Sequence, residues 1–177
     1  MQAKTCWVLT VGVPGMDNQS LGLAQSLGLE VVQKRLHPTA PWKHLPPQLW
    51  LAPLRFLGPG SDAIAPPWPD VVIGTGRLTV AVALAIKRAS GGRTFNIRIQ
   101  DPHTAYDEFD VIVTPRHDRC NHPNVIATLG GLHTITPARI REAGERFAEK
   151  FAFLPRPRVA VLVGGTNKCY RLTPEIG

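Results

Sequence analysis

Short aliphatic and β-branched runs recur along the chain, separated by stretches of helical spacing or by glycine and proline breaks. Residues 7–12 predict a buried strand, and 13–18 a Gly/Pro loop. Residues 19–27 have helical composition and stop at Gly28, a residue suited to a helix C-terminus. Residues 30–34 read as a second strand, giving a βαβ opening. The alternation breaks at 38–69, which hold nine of the seventeen prolines. Proline at that density excludes a regular long helix or a central strand. One short amphipathic helix over 47–57 is expected inside this insertion.

Alternation resumes with strands at 71–74, 94–99, 110–114 and 124–128, and a buried Ala/Val-rich helix at 78–89. Thr136 and Pro137 then supply a capping hydroxyl and a first-turn proline. Ile140, Ala143, Phe147 and Phe151 follow at helical spacing. Leu154, Pro155, Arg156 and Pro157 form a stiff linker, and 158–163 predict a fresh buried strand before Gly164. The expected fold class is α/β and Rossmann-like: a mostly parallel sheet with helices on both faces. Residues 1–154 are expected to form this N-terminal domain, with 38–69 as its Pro-rich insertion. Residues 155–177 are expected to be a linker plus the first strand and glycine loop of a truncated second domain.

Composition narrows the class without naming a function. The chain is 44% apolar and 19% charged, ordinary for a globular protein. No apolar run reaches bilayer-spanning length, and no signal peptide opens the chain, so a cytoplasmic protein is expected. Cys6, Cys120 and Cys169 lie far apart in no metal-binding spacing; reduced thiols are expected, with no metal and no cofactor. The net charge is +7, and residues 1–100 carry ten Lys/Arg against four Asp/Glu. That bias suits phosphate groups, a lipid surface or nucleic acid, but no nucleic-acid recognition module is present. Trp42, Lys43 and His44 with the Leu-rich stretch to Leu57 suit a peripheral contact at the inner face of a membrane. Packing of the insertion onto its own domain explains the same residues.

Ligands of open parallel sheets bind beyond the carboxyl ends of the strands, which directs attention to five segments. Gly15, Asn18 and Gln19 follow the first strand, where free N–H groups and a polar contact could meet a ligand, or simply cap a helix. Gly76 and Arg77 open a helix after the third strand, a combination suited to an anion. Gln100, Asp101 and His103 follow the fourth. His117 and Asp118 follow the fifth and are the candidates for acid–base work, although adjacent residues need not pair. His133 is a further polar candidate. Gly164, Gly165 and Thr166, with Lys168 nearby, could cradle a diphosphate. A dinucleotide fingerprint, a Walker lysine motif and a GxSxG elbow are all absent.

Taken together, several blocks resemble the mitochondrial-fission factor family. They are 13–19 with Leu21 to Ala24, the stretch from Trp68 to Arg77, and Ile99 to Pro102. Phe109 to Val113 with His117 and Asp118, Asn124 and Val125, Gly130 to His133, and Leu162 to Gly165 follow in the same order. The resemblance implies the N-terminal half of a GT-B-like two-domain glycosyltransferase fold, in a family whose members are nearly twice this length. It implies a bacterial, metal-independent glycosyltransferase-like or nucleotide-sugar-binding protein acting on an envelope or lipid-linked acceptor. The donor would be held mainly by the missing C-terminal domain, so the fragment alone is expected to be inactive. The same resemblance also implies the alternative of a non-catalytic scaffold or recruiter that keeps the fold without the chemistry.

Overall fold

The computed structural model describes residues 4–163 together with Arg171 and Thr173. The chain divides into two compact units, Met1–Ile135 and Thr136–Gly177. The first unit is built on six parallel strands: β1 (Thr5–Thr10), β2 (Glu30–Arg35), β3 (Val71–Thr75), β4 (Phe95–Ile99), β5 (Val111–Pro115) and β6 (Val125–Thr128). Their spatial order is β2-β1-β3-β4-β5-β6. Two helices flank them, α1 (Pro14–Ser26) and α2 (Val80–Ala89). This is the α/β, Rossmann-like arrangement expected from the alternation.

Side chains alternate across the sheet and decide what packs where. Cys6, Val8, Ile73, Ile97 and Val113 face α1, together with Ala24 from that helix. Small residues let α1 lie close, and Ser20 Oγ meets Thr75 Oγ1 at 2.7 Å across that contact. Trp7, Leu9 and Val72 face the other way, against Ala81, Val82 and Ile86 of α2. The insertion closes over the same layer: Trp50 is buried there, and Trp42, Leu45, Leu57 and Trp68 pack against it. Burying each large side chain here contributes about 1.5–3 kcal/mol. Packing thus explains most of the insertion's aromatics, while Leu49, Leu51 and Phe56 stay exposed.

Several boundaries differ from the expectation for identifiable reasons. α1 starts at Pro14, because proline at the first helical turn is preorganised and its missing N–H is not needed there. Gly15 and Asn18 are therefore helical, not loop residues, and Gln19 lies inside the helix rather than at its start. The helix expected at 47–57 is only a 3₁₀ turn, Pro47–Leu49, preceded by another at Trp42–His44; Pro41, Pro46, Pro47 and Pro53 prevent anything longer.

The second unit holds α3 (Pro137–Arg146) and a 3₁₀ turn, Glu149–Phe151. Thr136 caps α3 as expected, its Oγ1 accepting from the Arg139 N–H at 3.2 Å. Residues 158–163 form no strand, and Leu162 is 96% exposed. An apolar run becomes a strand only beside a backbone that takes its hydrogen bonds. Among the described residues this unit provides none.

Candidate functional site

Because β1 and β3 are neighbours while β2 lies outside β1, the chain leaves the carboxyl end of β1 in one direction and that of β3 in the other. Such a reversal opens a crevice at the carboxyl edge. Two adjoining cavities lie along that edge. One, of about 500 Å³, is lined by Gln19, Gln100, Asp101, His117, Asp118 and Gly131, among others. The second, of about 520 Å³, is lined by Met16, His44, Gly76, Arg77, Arg98 and their neighbours. Gln100, Asp101 and His103 line both.

The shared wall is a strained loop between β4 and β5. Gln100, His103 and Ala105 all have left-handed backbone, with φ of 72°, 55° and 50°. Each costs about 1 kcal/mol or more, so something must hold them. Asp101 does: its Oδ1 accepts from the His103 N–H at 2.8 Å and from the Tyr106 hydroxyl at 2.7 Å. The Cys120 thiol also favours the charged form of this carboxylate. Burial works against the Asp101 charge, but these donors and the adjacent His103 together hold its carboxyl below the usual range. The same contact pushes Tyr106 up to about 12, with burial adding to it.

Gly76 shapes the second cavity. Its φ is +80°, and a Cβ there would lie 2.6 Å from Met16 Sδ. Arg77 lines the second cavity and also makes structural bonds. Its Nη1 donates to the Leu45 carbonyl at 2.7 Å, and its Nη2 donates to the Lys43 carbonyl. Arg77 thereby ties the insertion to the rim. His117 Nε2 lies 3.4 Å from Asp118 Oδ1, so the two side chains do approach each other at the end of β5. His117 is open to solvent, with 77% of its side chain exposed.

The other expected residues spread out. Gly15 and Asn18 sit in the first turns of α1 and line neither cavity. Asp17 accepts a hydrogen bond from the Thr10 hydroxyl. His133 lines neither cavity; its Nδ1 accepts from the Ile135 N–H at 3.2 Å. Its carbonyl rests on α1 at Gly22, where a Cβ would be 2.3 Å from the oxygen. Gly164, Gly165 and Thr166 lie outside the described residues. Among the described residues, no three His, Cys, Asp or Glu side chains group as metal ligands, and no helix is long and apolar enough to cross a membrane. Arg98, His44 and Met16 join the site without having been expected there. Arg98 follows Asn96 on one face of β4, a polar alternation that by itself reads as a solvent-facing side.

No solved structure matches the chain. The mitochondrial fission protein ELM1 of Arabidopsis thaliana is 31% identical over a match that covers 54% of this chain and 28% of that relative. The matched segment is thus well under half of the relative's length. The family model described as mitochondrial fission ELM1 matches residues 14–177. That match takes in both units, and the chain belongs to the mitochondrial fission ELM1 family.

Proposed function

We propose that this protein is a metal-independent, GT-B-like glycosyltransferase or nucleotide-sugar-binding protein, and that this chain supplies one wall of its cleft. The observation that carries the reading is the pair of cavities along the carboxyl edge of the sheet, meeting at the polar residues Gln100, Asp101 and His103. An acceptor hydroxyl in the first cavity would lie beside His117 and Asp118. Since His117 Nε2 faces Asp118 Oδ1, Nδ1 is the atom left to take the hydroxyl proton. The freed oxygen would attack the anomeric carbon as its bond to the diphosphate breaks, with Asp118 stabilising the imidazolium. The leaving diphosphate would be held by the remainder of the protein and by backbone N–H groups.

A thermal-shift and calorimetric panel of UDP, GDP and their sugar conjugates tests this reading on the full-length protein. Stabilisation by one of them, growing with concentration, is expected. His117→Ala should keep that binding and lose transfer. Indifference to every compound at millimolar concentration would sink the proposal. It would favour a non-catalytic scaffold, the reading supported by a relative named for mitochondrial fission and by the openness of His117 to solvent.

A further inference from the structure

Strand β4 carries a cation where a strand covered on both faces calls for an apolar side chain. Arg98 is 2% exposed and sits in the ladder between Gly74 and Ile112. Among the described residues, its side-chain hydrogen bonds all run through Nη1, which donates to the Gly76 carbonyl at 3.0 Å, the Thr79 hydroxyl at 3.1 Å and the Gly74 carbonyl at 3.3 Å. Every one of these acceptors is neutral. Nε is buried and has no partner among the described residues. No carboxylate among them lies within the 4.0 Å of an ion pair.

Burial brings the guanidinium down only to about 10, with Asp101 acting against that shift, so Arg98 is charged at neutral pH. A buried charge with no carboxylate at ion-pair distance is costly by several kcal/mol. Arg98 also lines the second cavity, where Arg77, His44 and His103 add positive or protonatable groups. The left-handed Gly76 brings bare backbone to the same wall. Asp101 lines it too, as an acceptor held in its charged form. A ligand that fits all of these groups carries a multiply charged anion at one point and hydroxyls at another. Guanidinium matches phosphate oxygens in a bidentate way.

We propose that the cavity walled by Arg98, Gly76 and Asp101 is a phosphate-ester subsite that takes a sugar phosphate, its phosphate on the Arg98 guanidinium and a hydroxyl on Asp101. The proposal rests on the reading of the carboxyl edge as a ligand cleft. It assigns the anion contact to Arg98, because Arg98 is the buried cation of the cavity whose Nε has no partner among the described residues.

The test is calorimetric titration of the full-length protein with inorganic phosphate, with glucose 1-phosphate and with UDP-glucose, all at matched ionic strength. Glucose 1-phosphate should bind at least about tenfold more tightly than phosphate, since only it engages Asp101. Arg98→Lys keeps the charge but loses the planar fork. It should weaken glucose 1-phosphate roughly tenfold to a hundredfold, with the circular dichroism spectrum unchanged. Equal binding by Arg98→Lys and wild type overturns the subsite. If the variant does not fold, the wild-type protein gives the answer by NMR. The Arg98 Nε–H resonance should move as glucose 1-phosphate is added, and a resonance that stays still overturns the proposal. UDP-glucose bound by the protein, with glucose 1-phosphate bound alike by wild type and variant, would remove the subsite and leave the transferase-like reading standing. Arg98-dependent binding of glucose 1-phosphate with no nucleotide sugar bound would do the reverse.

Discussion

Gly22 lies well inside α1, where alanine is ordinarily the better helix former by about 1 kcal/mol. Propensity alone predicts that Gly22→Ala stabilises the protein. The packing predicts the opposite. A Cβ at Gly22 would stand 2.3 Å from the His133 oxygen and 2.5 Å from its carbonyl carbon. Ordinary contact requires about 3.4 Å or more, so helix or loop must retreat by roughly 1 Å. Both obstructing atoms are backbone and cannot rotate away. Overpacking of this kind costs about 3 kcal/mol at the upper end of its range, leaving a net loss of about 2 kcal/mol. Gly15→Ala is the internal control. It is in the same helix, with ordinary φ and no atom within 4 Å of its Cβ position. That variant should gain up to about 1 kcal/mol. Urea unfolding followed by tryptophan fluorescence separates the two: the Gly22→Ala midpoint should fall by about 1 M at unchanged slope, and that of Gly15→Ala should rise. Equal gains from both substitutions would refute the close approach of the His133 segment to α1.

Asp70 accepts from the Thr5 N–H at 2.8 Å and the Thr5 hydroxyl at 3.0 Å, which hold its carboxyl below the ordinary 3.8. A depressed folded pKa means that the stabilisation is complete above the unfolded value and is lost as pH falls through the folded one. Wild type should therefore lose stability more steeply than Asp70→Asn as pH drops below about 4, measured by denaturant midpoints at each pH. The Cys120 thiol is raised by burial first and then by the Asp101 charge, so Asp101→Asn should speed its alkylation near pH 8, followed by site-resolved mass spectrometry. Cys6, fully buried and pushed up to about 12 by that burial, should resist the same reagent until the protein unfolds. Arg77→Ala removes the bonds to the Leu45 and Lys43 carbonyls. Amide exchange over 43–50 should accelerate while the β1 and β3 amides stay protected, and unchanged exchange would show that the insertion needs no such tie.

The strands were legible because a parallel sheet covered on both faces is written as plain apolar runs. Val71 to Ile73 and Val111 to Val113 are such runs, and their order prefigured the sheet. The start of α1 was misread because Pro14 and Gly15 look like a turn when nothing shows that the helix begins there. The strand-end rule led to Gln100, Asp101, His117 and Asp118, which line one cavity at the carboxyl edge, since that edge follows from strand direction alone. Arg98 was missed for a physical reason. Its alternation with Ile97 and Ile99 suggests a strand with one wet face. Only the placement of β4 between β3 and β5, under α2, makes that face interior. His44 and Met16 reach the site through the insertion and through α1, and no spacing along the chain encodes either approach.

The loop between β4 and β5 also bears on when the site forms. Its left-handed residues follow no local preference, so the segment does not assume this shape by itself. Beyond the local bonds of Asp101 to His103 and Tyr106, the bonds that fix it come from later in the chain. Gln100 N–H donates to the Val113 carbonyl at 2.9 Å. Asn124 Nδ2 donates to the carbonyls of Tyr106 at 2.9 Å and Phe109 at 2.7 Å. During synthesis, the residues up to β4 can emerge and pair before any of these partners exists. The wall common to both cavities is completed only once β5 and the segment leading into β6 have docked. Binding competence is therefore a late event in folding, and a ligand seated on that wall would act as a lock on the final step.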